Sequence, residues 1–396
     1  MTTMLKKYFE SNLKIIPFVV FDALGHWPFA AARRIWWLSL LCLFLPAGSL
    51  LWAQEGISFS GQISEEAGAA QAPQTSLQLY QYSRLSLQSH GDLSREFSWR
   101  LEGEADQQSS GTDQPPTWLT YPSQNAVNLE LDNSTASSST SDAMTRLNRA
   151  FLKWVSGRWE VTAGLQLFDG GTSAFYQPTH YFNPLPPLAW VADEPLGSEG
   201  LNLNCFLFDD LSVEGSVRWL ADGSAEWTVR LANKGIGIGI TPSFASLEGR
   251  NGVGLELSGT FPEIQVRFEG VNWFYPGNNL QLEWVGGVST LVQGAKLTLE
   301  GLQDTTGEAL GGWTTGNPDS FYLFASAQKD FSGQWQAAPA LVKSLGGGPL
   351  VFWPKTSLSL GQAWKFTAQA QWPLGSADGP LSLYPGRFGL SLVYLF

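Results

Sequence analysis

Arg387-Phe-Gly-Leu-Ser-Leu-Val-Tyr-Leu-Phe396 ends the chain and decides how the rest is read. Phe388, Leu390, Leu392, Tyr394 and Phe396 share one parity, and Arg387, Gly389 and Ser391 lie between them. Alternation of this kind over ten residues is the signature of a β-strand with one apolar face. A strand at a chain terminus normally frays, so an apolar one that stops on phenylalanine needs support on both sides. A closed barrel in a membrane supplies it, because lipid solvates the apolar face and pairing with the first strand removes the edge. The last strand of a soluble sandwich would show the same alternation, so other parts of the chain must choose between them.

The N-terminal region favours export. Arg33-Arg34 precedes the apolar run Ile35–Leu45, and small residues follow at Ala47, Gly48, Ser49 and Ala53. A basic start, an apolar core of about eleven residues and a small-residue exit describe a secretory signal peptide. Cleavage is expected after Ala53, giving an extended signal peptide over 1–53 and a mature chain over 54–396, although Leu51 is large for its position. Leu41 before Cys42 argues against a lipoprotein, and the residues around Arg33-Arg34 do not fit a twin-arginine signal.

Composition narrows the class. Residues 1–53 carry five Lys and Arg against Glu10 and Asp22, a net +3, which leaves 54–396 near −15 out of a total of −12. Such acidity excludes nucleic acid as a partner, since that needs a basic footprint. Beyond residue 53 only Cys205, His90 and His180 remain of the cysteines and histidines, so no intrachain disulfide forms there. Aromatics make up 13% of the chain, with 18 Trp, as expected of girdles at two membrane interfaces. No stretch beyond residue 53 holds eighteen consecutive apolar residues, so no helix is expected to span.

Alternation then recurs along the chain. Leu77, Leu79, Leu85 and Leu87 share one face, opposite Gln78, Tyr80, Tyr82, Arg84 and Gln88. A turn is expected at His90-Gly91-Asp92, after which Phe97, Trp99 and Leu101 face lipid. Trp159, Val161, Ala163, Leu165 and Leu167 form a later apolar face. Short turns are read at 156–158, 209–210, 221–224, 233–235, 260–263, 275–279, 286–291, 330–333, 346–349 and 361–362. The longer segments 105–142, 169–200, 304–319 and 373–386 all fall on one side when turns and loops alternate, as an outer-membrane-type barrel requires. The expected fold is all-β, a transmembrane antiparallel barrel of about 18 strands. Sixteen follow if 57–63 or the Gly-rich 235–241 is not a strand.

The C-terminal strand resembles that of Gram-negative outer-membrane barrels. A second resemblance lies in Arg149-Ala-Phe-Leu-Lys153, Trp159-Glu-Val-Thr-Ala-Gly164-Leu-Gln166, Asp169-Gly170 and Phe175-Tyr-Gln-Pro178-Thr-His-Tyr-Phe-Asn183-Pro184. It looks like a signature of porin-like outer-membrane proteins, including the alginate-export type. The chain departs from the pattern at Leu165, at Asp169-Gly170 and at His180. The resemblance implies an outer-membrane location, outer-membrane lipid as surroundings, and a barrel-assembly machinery that reads Leu392, Tyr394 and Phe396 as an assembly signal.

Segment 169–200 is unlike a solvated loop, because its aromatics and prolines favour a stiff, packed path. One reading folds it into the lumen as a pore constriction built from Tyr176, His180, Tyr181, Phe182, Trp190, Asp193 and Glu194. The other has it cap the barrel mouth or pack on a neighbouring subunit. Its acids are Asp169, Asp193, Glu194 and Glu199, and a lumen basic wall of Arg84, Arg100, Arg149, Lys153 and Arg158 is expected to face it. Those cations would either set a transverse field or pair with Glu96, Glu102 and Glu160 to fill the interior.

Catalytic and metal chemistry find little support. Gly235-Ile-Gly-Ile-Gly239 reads as strand, Cys205 as lipid-facing filler, and neither histidine has a nucleophile signature near it. No enzyme, cofactor or metal is expected beyond a weak carboxylate calcium site. Three functions stay in view: a channel for small polar solutes, an export channel for a polysaccharide or other polymer, and a non-conducting adhesin or envelope anchor. A homo-oligomer is compatible with each.

Overall fold

A computed structural model describes residues 57–71, 77–110, 141–168, 170–182, 197–220, 222–233, 237–277, 280–305, 320–375 and 386–396. Every strand pairs antiparallel with its sequence neighbours, and the last pairs with the first, so the sheet closes. In chain order, β1 is Ile57–Gln71, β2 Gln78–Asp92, β3 Phe97–Ser110, β4 Ser141–Ser156, β5 Trp159–Gln166 and β6 Ser198–Phe208. Then come β7 Leu211–Trp219, β8 Ala225–Asn233, β9 Ile238–Leu247, β10 Arg250–Thr260, β11 Ile264–Phe274 and β12 Leu280–Val292. β13 is Ala295–Asp304, β14 Ser320–Asp330, β17 Trp364–Leu374 and β18 Gly386–Leu395. Two strands are each broken once: β15 is Trp335–Ala337 plus Ala340–Ser344, and β16 is Leu350–Trp353 plus Lys355–Leu360. The breaks fall at Pro339 and Pro354, which have no N–H to give the ladder. Their carbonyls still accept, from Ala327 and Ala370, at 3.0 Å each. Twenty ladder segments are therefore eighteen strands.

The seam shows what the C-terminal alternation achieves. Gln62–Gln71 pairs with Leu395–Gly386, and Gly61 and Phe396 exchange two backbone hydrogen bonds of 3.0 Å. The Phe396 ring lies over Gly61, where any Cβ would sit 2.6 Å from the ring tip. No edge remains to template another chain.

Where nothing covers the inner wall, strands keep polar residues inward and apolar ones outward. In β8, Trp227, Val229 and Leu231 are 40–43% exposed, while Glu226 and Thr228 between them are 3% and 4% exposed. So many exposed large apolar side chains would be a liability in water but suit a lipid belt. Exposed aromatics mark both ends of the belt. Phe97, Trp159, Phe261, Phe331 and Trp364 lie at the end with short turns, and Trp219, Phe274, Phe321, Trp372 and Phe388 at the end with long loops. The connections 72–77, 111–140, 167–197, 305–319 and 375–385 share that loop end, opposite turns of four residues or fewer.

Several boundaries differ from the sequence expectation. β2 runs through His90, whose ring meets the Ser58 hydroxyl, and the turn is Leu93–Glu96. Gly286–Leu291 is not a turn but the interior of β12; the chain reverses at Gln293-Gly294, with φ of 50° and 75°. Two consecutive left-handed residues make the tight hairpin turn that matches strand twist. Leu165, expected on the lipid face, is buried, and Gly164 before it takes φ 121°. Cys205 is half-buried and free, opposite Trp159 and Val213. The expected signal peptide lies outside the described residues.

Candidate functional site

Between β5 and β6 the chain turns into the barrel, and residues 170–182 lie against inner-face residues of strands from β7 to β16. Two glycines open the path. Gly170 passes so close to Thr179 that a Cβ would sit 2.7 Å from its carbonyl, and Gly171 takes φ 76°. Inside the barrel the wall's own backbone groups are spent on the ladder, so the segment's amides need side-chain acceptors. Two glutamates provide them. Glu269 on β11 accepts from the Thr172 and Ser173 amides on Oε2 (2.8 and 3.1 Å) and from the Thr179 amide on Oε1 (2.9 Å). Glu300 on β13 accepts from the amides of Ala174 on Oε1 (2.8 Å) and Phe175 on Oε2 (2.7 Å). The Thr179 hydroxyl lies 2.7 Å from Glu269 and 2.9 Å from Glu256.

These anchors place the aromatics. Phe175 stacks on Phe324 with centroids 4.6 Å apart and planes 9° apart. Tyr176 donates to Glu283 Oε2 at 2.9 Å, and Trp273 donates to its other oxygen at 3.0 Å. Tyr181 meets the Ser243 hydroxyl at 2.7 Å and packs edge-on to Trp273. Phe182 packs edge-on to Phe168, and Arg218 lies over its ring while donating to its carbonyl at 2.9 Å. The Arg218 guanidinium is held in turn by Glu226. Under this cover the inner wall becomes apolar, with Val285, Leu302, Tyr322, Val342 and Val351 buried against Phe175 and Tyr176.

On β2 to β5 the cations are neutralised in place. Arg84 pairs with Asp106 at 2.8 Å and Glu104 at 3.7 Å. Glu102 lies 2.9 Å from Arg100 and 3.6 Å from Arg149, and Lys153 pairs with Glu160 at 2.8 Å. Pairing of this kind fills an interior and leaves little net field across it.

The structure thus brings Tyr176, His180, Tyr181 and Phe182 together on the inner wall, with His180 Nε2 2.7 Å from the Phe168 carbonyl. Trp190, Asp193 and Glu194 lie outside the described residues, as does Asp169. Arg84, Arg100, Arg149 and Lys153 stand on strands, but Arg158 is exposed in the turn between β4 and β5 and belongs to no wall. Glu199 is exposed on β6. Glu96 bonds Trp154 and Ser156 rather than a cation.

Sequence reasoning passed over Glu256, Glu269, Glu283, Glu300 and Arg218, which hold the segment. The signal was present as at least one buried carboxylate on each of four successive strands, Glu256, Glu269, Glu283 and Glu300, in largely apolar or glycine-rich surroundings. Apolar runs that ignore alternation, such as Phe321-Tyr-Leu-Phe324, likewise mark an inner face that something covers.

No protein-family model matches the sequence, and no curated protein does. Solved structures do resemble it. OccAB3 of Acinetobacter baumannii superposes with a TM-score of 0.56 at 10% identity, over 86% of this chain and 99% of that one. OccK7 (OpdD) of Pseudomonas aeruginosa gives 0.56 at 9% identity, over 86% and 98%. OpdK of the same organism, crystallised with vanillate, gives 0.54 at 10% identity, over 85% and 98%. The likeness is one of fold.

Proposed function

We propose that this chain is an outer-membrane channel for small polar solutes. The observation that carries the reading is the inward segment 170–182, fixed at six or more points to one wall of a closed eighteen-strand barrel. An anchor or adhesin has no need to organise its lumen, whereas a channel that selects by size does. The solved structures of like fold, Occ and Opd outer-membrane porins, support the same assignment. A polymer exporter of the alginate type is the weaker reading, since a stiff aromatic segment across the inner wall narrows the route that a hydrated chain would take. Tyr176, His180, Tyr181 and Phe182 form the described part of the constriction. Arg84, Arg100, Arg149 and Lys153 line the wall of β2 to β5 as a balanced, polar surface. The outward Leu392, Tyr394 and Phe396 act as the assembly signal, and the chain functions without catalysis.

Purified protein in planar lipid bilayers tests this. Discrete single-channel steps, together with sugar-driven swelling of proteoliposomes that falls steeply with sugar size, are expected. A barrel that inserts and passes no current would refute the channel.

A further inference from the structure

Glu256 on β10 and Glu269 on β11 face each other as direct cross-strand partners, both on the inner face and 4% and 0% exposed. Like charges so placed destabilise a sheet. A buried carboxylate persists only where donors satisfy it. Arg230 pairs with Glu256, but Glu269 has a different set of partners. Its carboxylate receives three backbone amides and lies within reach of the Thr179 hydroxyl, all from segment 170–182.

The arrangement is geometrically specific. One oxygen of Glu269 takes residues 172 and 173, and the other takes residue 179, so a single side chain ties both ends of a bend. Glu300 takes the next two amides, one on each oxygen, and thereby sets Phe175 on Phe324. The strand beside it is cut to fit. At Gly287, opposite Glu300 in the register, a Cβ would overlap the Glu300 side chain. Arg267 lies 3.7 Å from Glu300 and donates to the Thr172 carbonyl at 3.3 Å, linking the two anchors.

We infer that Glu269 and Glu300 are positioning residues that latch the aromatic segment to the wall, and so fix the width of the passage through hydrogen-bond geometry rather than through their charge. This rests on the channel reading, which it deepens. The solute meets the seated segment, and the two carboxylates act through it.

The test uses the full chain with Cys42→Ser and Cys205→Ser and a reporter at Ser173→Cys. Ser173 is buried and its hydroxyl has no hydrogen-bond partner, so the thiol fits and is shielded while the segment is seated. Glu269→Gln and Glu300→Gln each put an amide donor where an amide must be accepted. Each should speed maleimide labelling of residue 173 by on the order of tenfold and add open-channel flicker. Glu269→Asp keeps the charge but withdraws it by one methylene, so it should behave like Glu269→Gln. Glu96→Gln, which removes a carboxylate far from the segment, should match the parent. Should Glu269→Gln not assemble, Thr179→Val removes a single hydroxyl and should raise labelling less, but measurably. Parental labelling rates in both Gln variants would overturn the latch. So would an Asp variant that behaves as the parent while the Gln variant does not, because charge alone would then suffice. If the parent protein never conducts, the channel reading fails while the labelling rates still decide the latch.

Discussion

Arg218 joins the barrel wall to the far end of the inward segment, and its removal should expose the cost of a buried charge left alone. Its guanidinium donates to Glu226 at 2.8 Å through Nε and to the Phe182 carbonyl at 2.9 Å, and it covers the Phe182 ring at 5.2 Å. Arg218 and Glu226 are 7% and 3% exposed, so neither is screened by bulk water. Arg218→Met keeps the stem volume but strands the Glu226 carboxylate, which retains only the Glu248 amide at 2.8 Å. Breaking a buried pair on one side costs about 3–5 kcal/mol. The double change Arg218→Met, Glu226→Gln removes both charges, and Gln can still accept from the Glu248 amide. It should recover most of that loss, leaving a deficit of about 0.5–1.5 kcal/mol for the bond to Phe182. Urea unfolding in detergent micelles, followed by tryptophan fluorescence, measures both. A double variant as unstable as the single one would show that the carboxylate's isolation is not the source of the cost, and the argument would fail.

Phe175→Ala removes a buried ring stacked on Phe324, so it should cost about 3–5 kcal/mol of stability and, by loosening the seated segment, raise single-channel conductance; unchanged conductance would show that this ring does not hold the segment's course. Deletion of Phe396 strips two seam hydrogen bonds and the cover over Gly61, and should lower the protein's level in outer-membrane fractions on immunoblots. An epitope inserted at Ser138, within the long 111–140 connection, should be cut by protease added to intact cells, while one at Gly157 in the two-residue turn should survive; the reverse pattern would invert the topology.

The barrel was legible because its rule is local. Period-two alternation in Leu77–Gln88 or Trp227–Leu231 follows from lipid on one side and a polar interior on the other, and each strand states it independently. Turn positions were less so. Gly286-Gly287 reads as a turn signal, yet these glycines lie in β12, where Gly287 makes room for Glu300; the reversal needs the two left-handed residues at Gln293-Gly294. The breaks at Pro339 and Pro354 split two ladders without changing the strand count. The inward course of 170–182 was legible in its aromatics and prolines, but its anchors were not. Which wall carboxylates it reaches depends on contacts as far apart as Ala174 and Glu300, and no local pattern encodes that separation.

The two walls of the barrel handle charge by different means, and this bears on what sets selectivity. Across β2 to β5 the cations Arg84, Arg100, Arg149 and Lys153 lie among the acids Asp106, Glu104, Glu102 and Glu160, with Glu102 shared by Arg100 and Arg149, so those eight charges balance. On β11 Glu269 instead faces three backbone amides and a threonine hydroxyl, groups that satisfy a carboxylate's oxygens while leaving its charge in place. Glu300 has Arg267 nearby as well. The negative charge is thus retained but hidden beneath the aromatic segment, which stands between it and the solute. In a channel, a permeating ion would meet the segment's less buried residues, Ala174, Gln177 and His180 among them, and the acids' field only through the segment. On this geometry size exclusion by the segment acts before charge does, and salt should alter selectivity far less than unseating the segment.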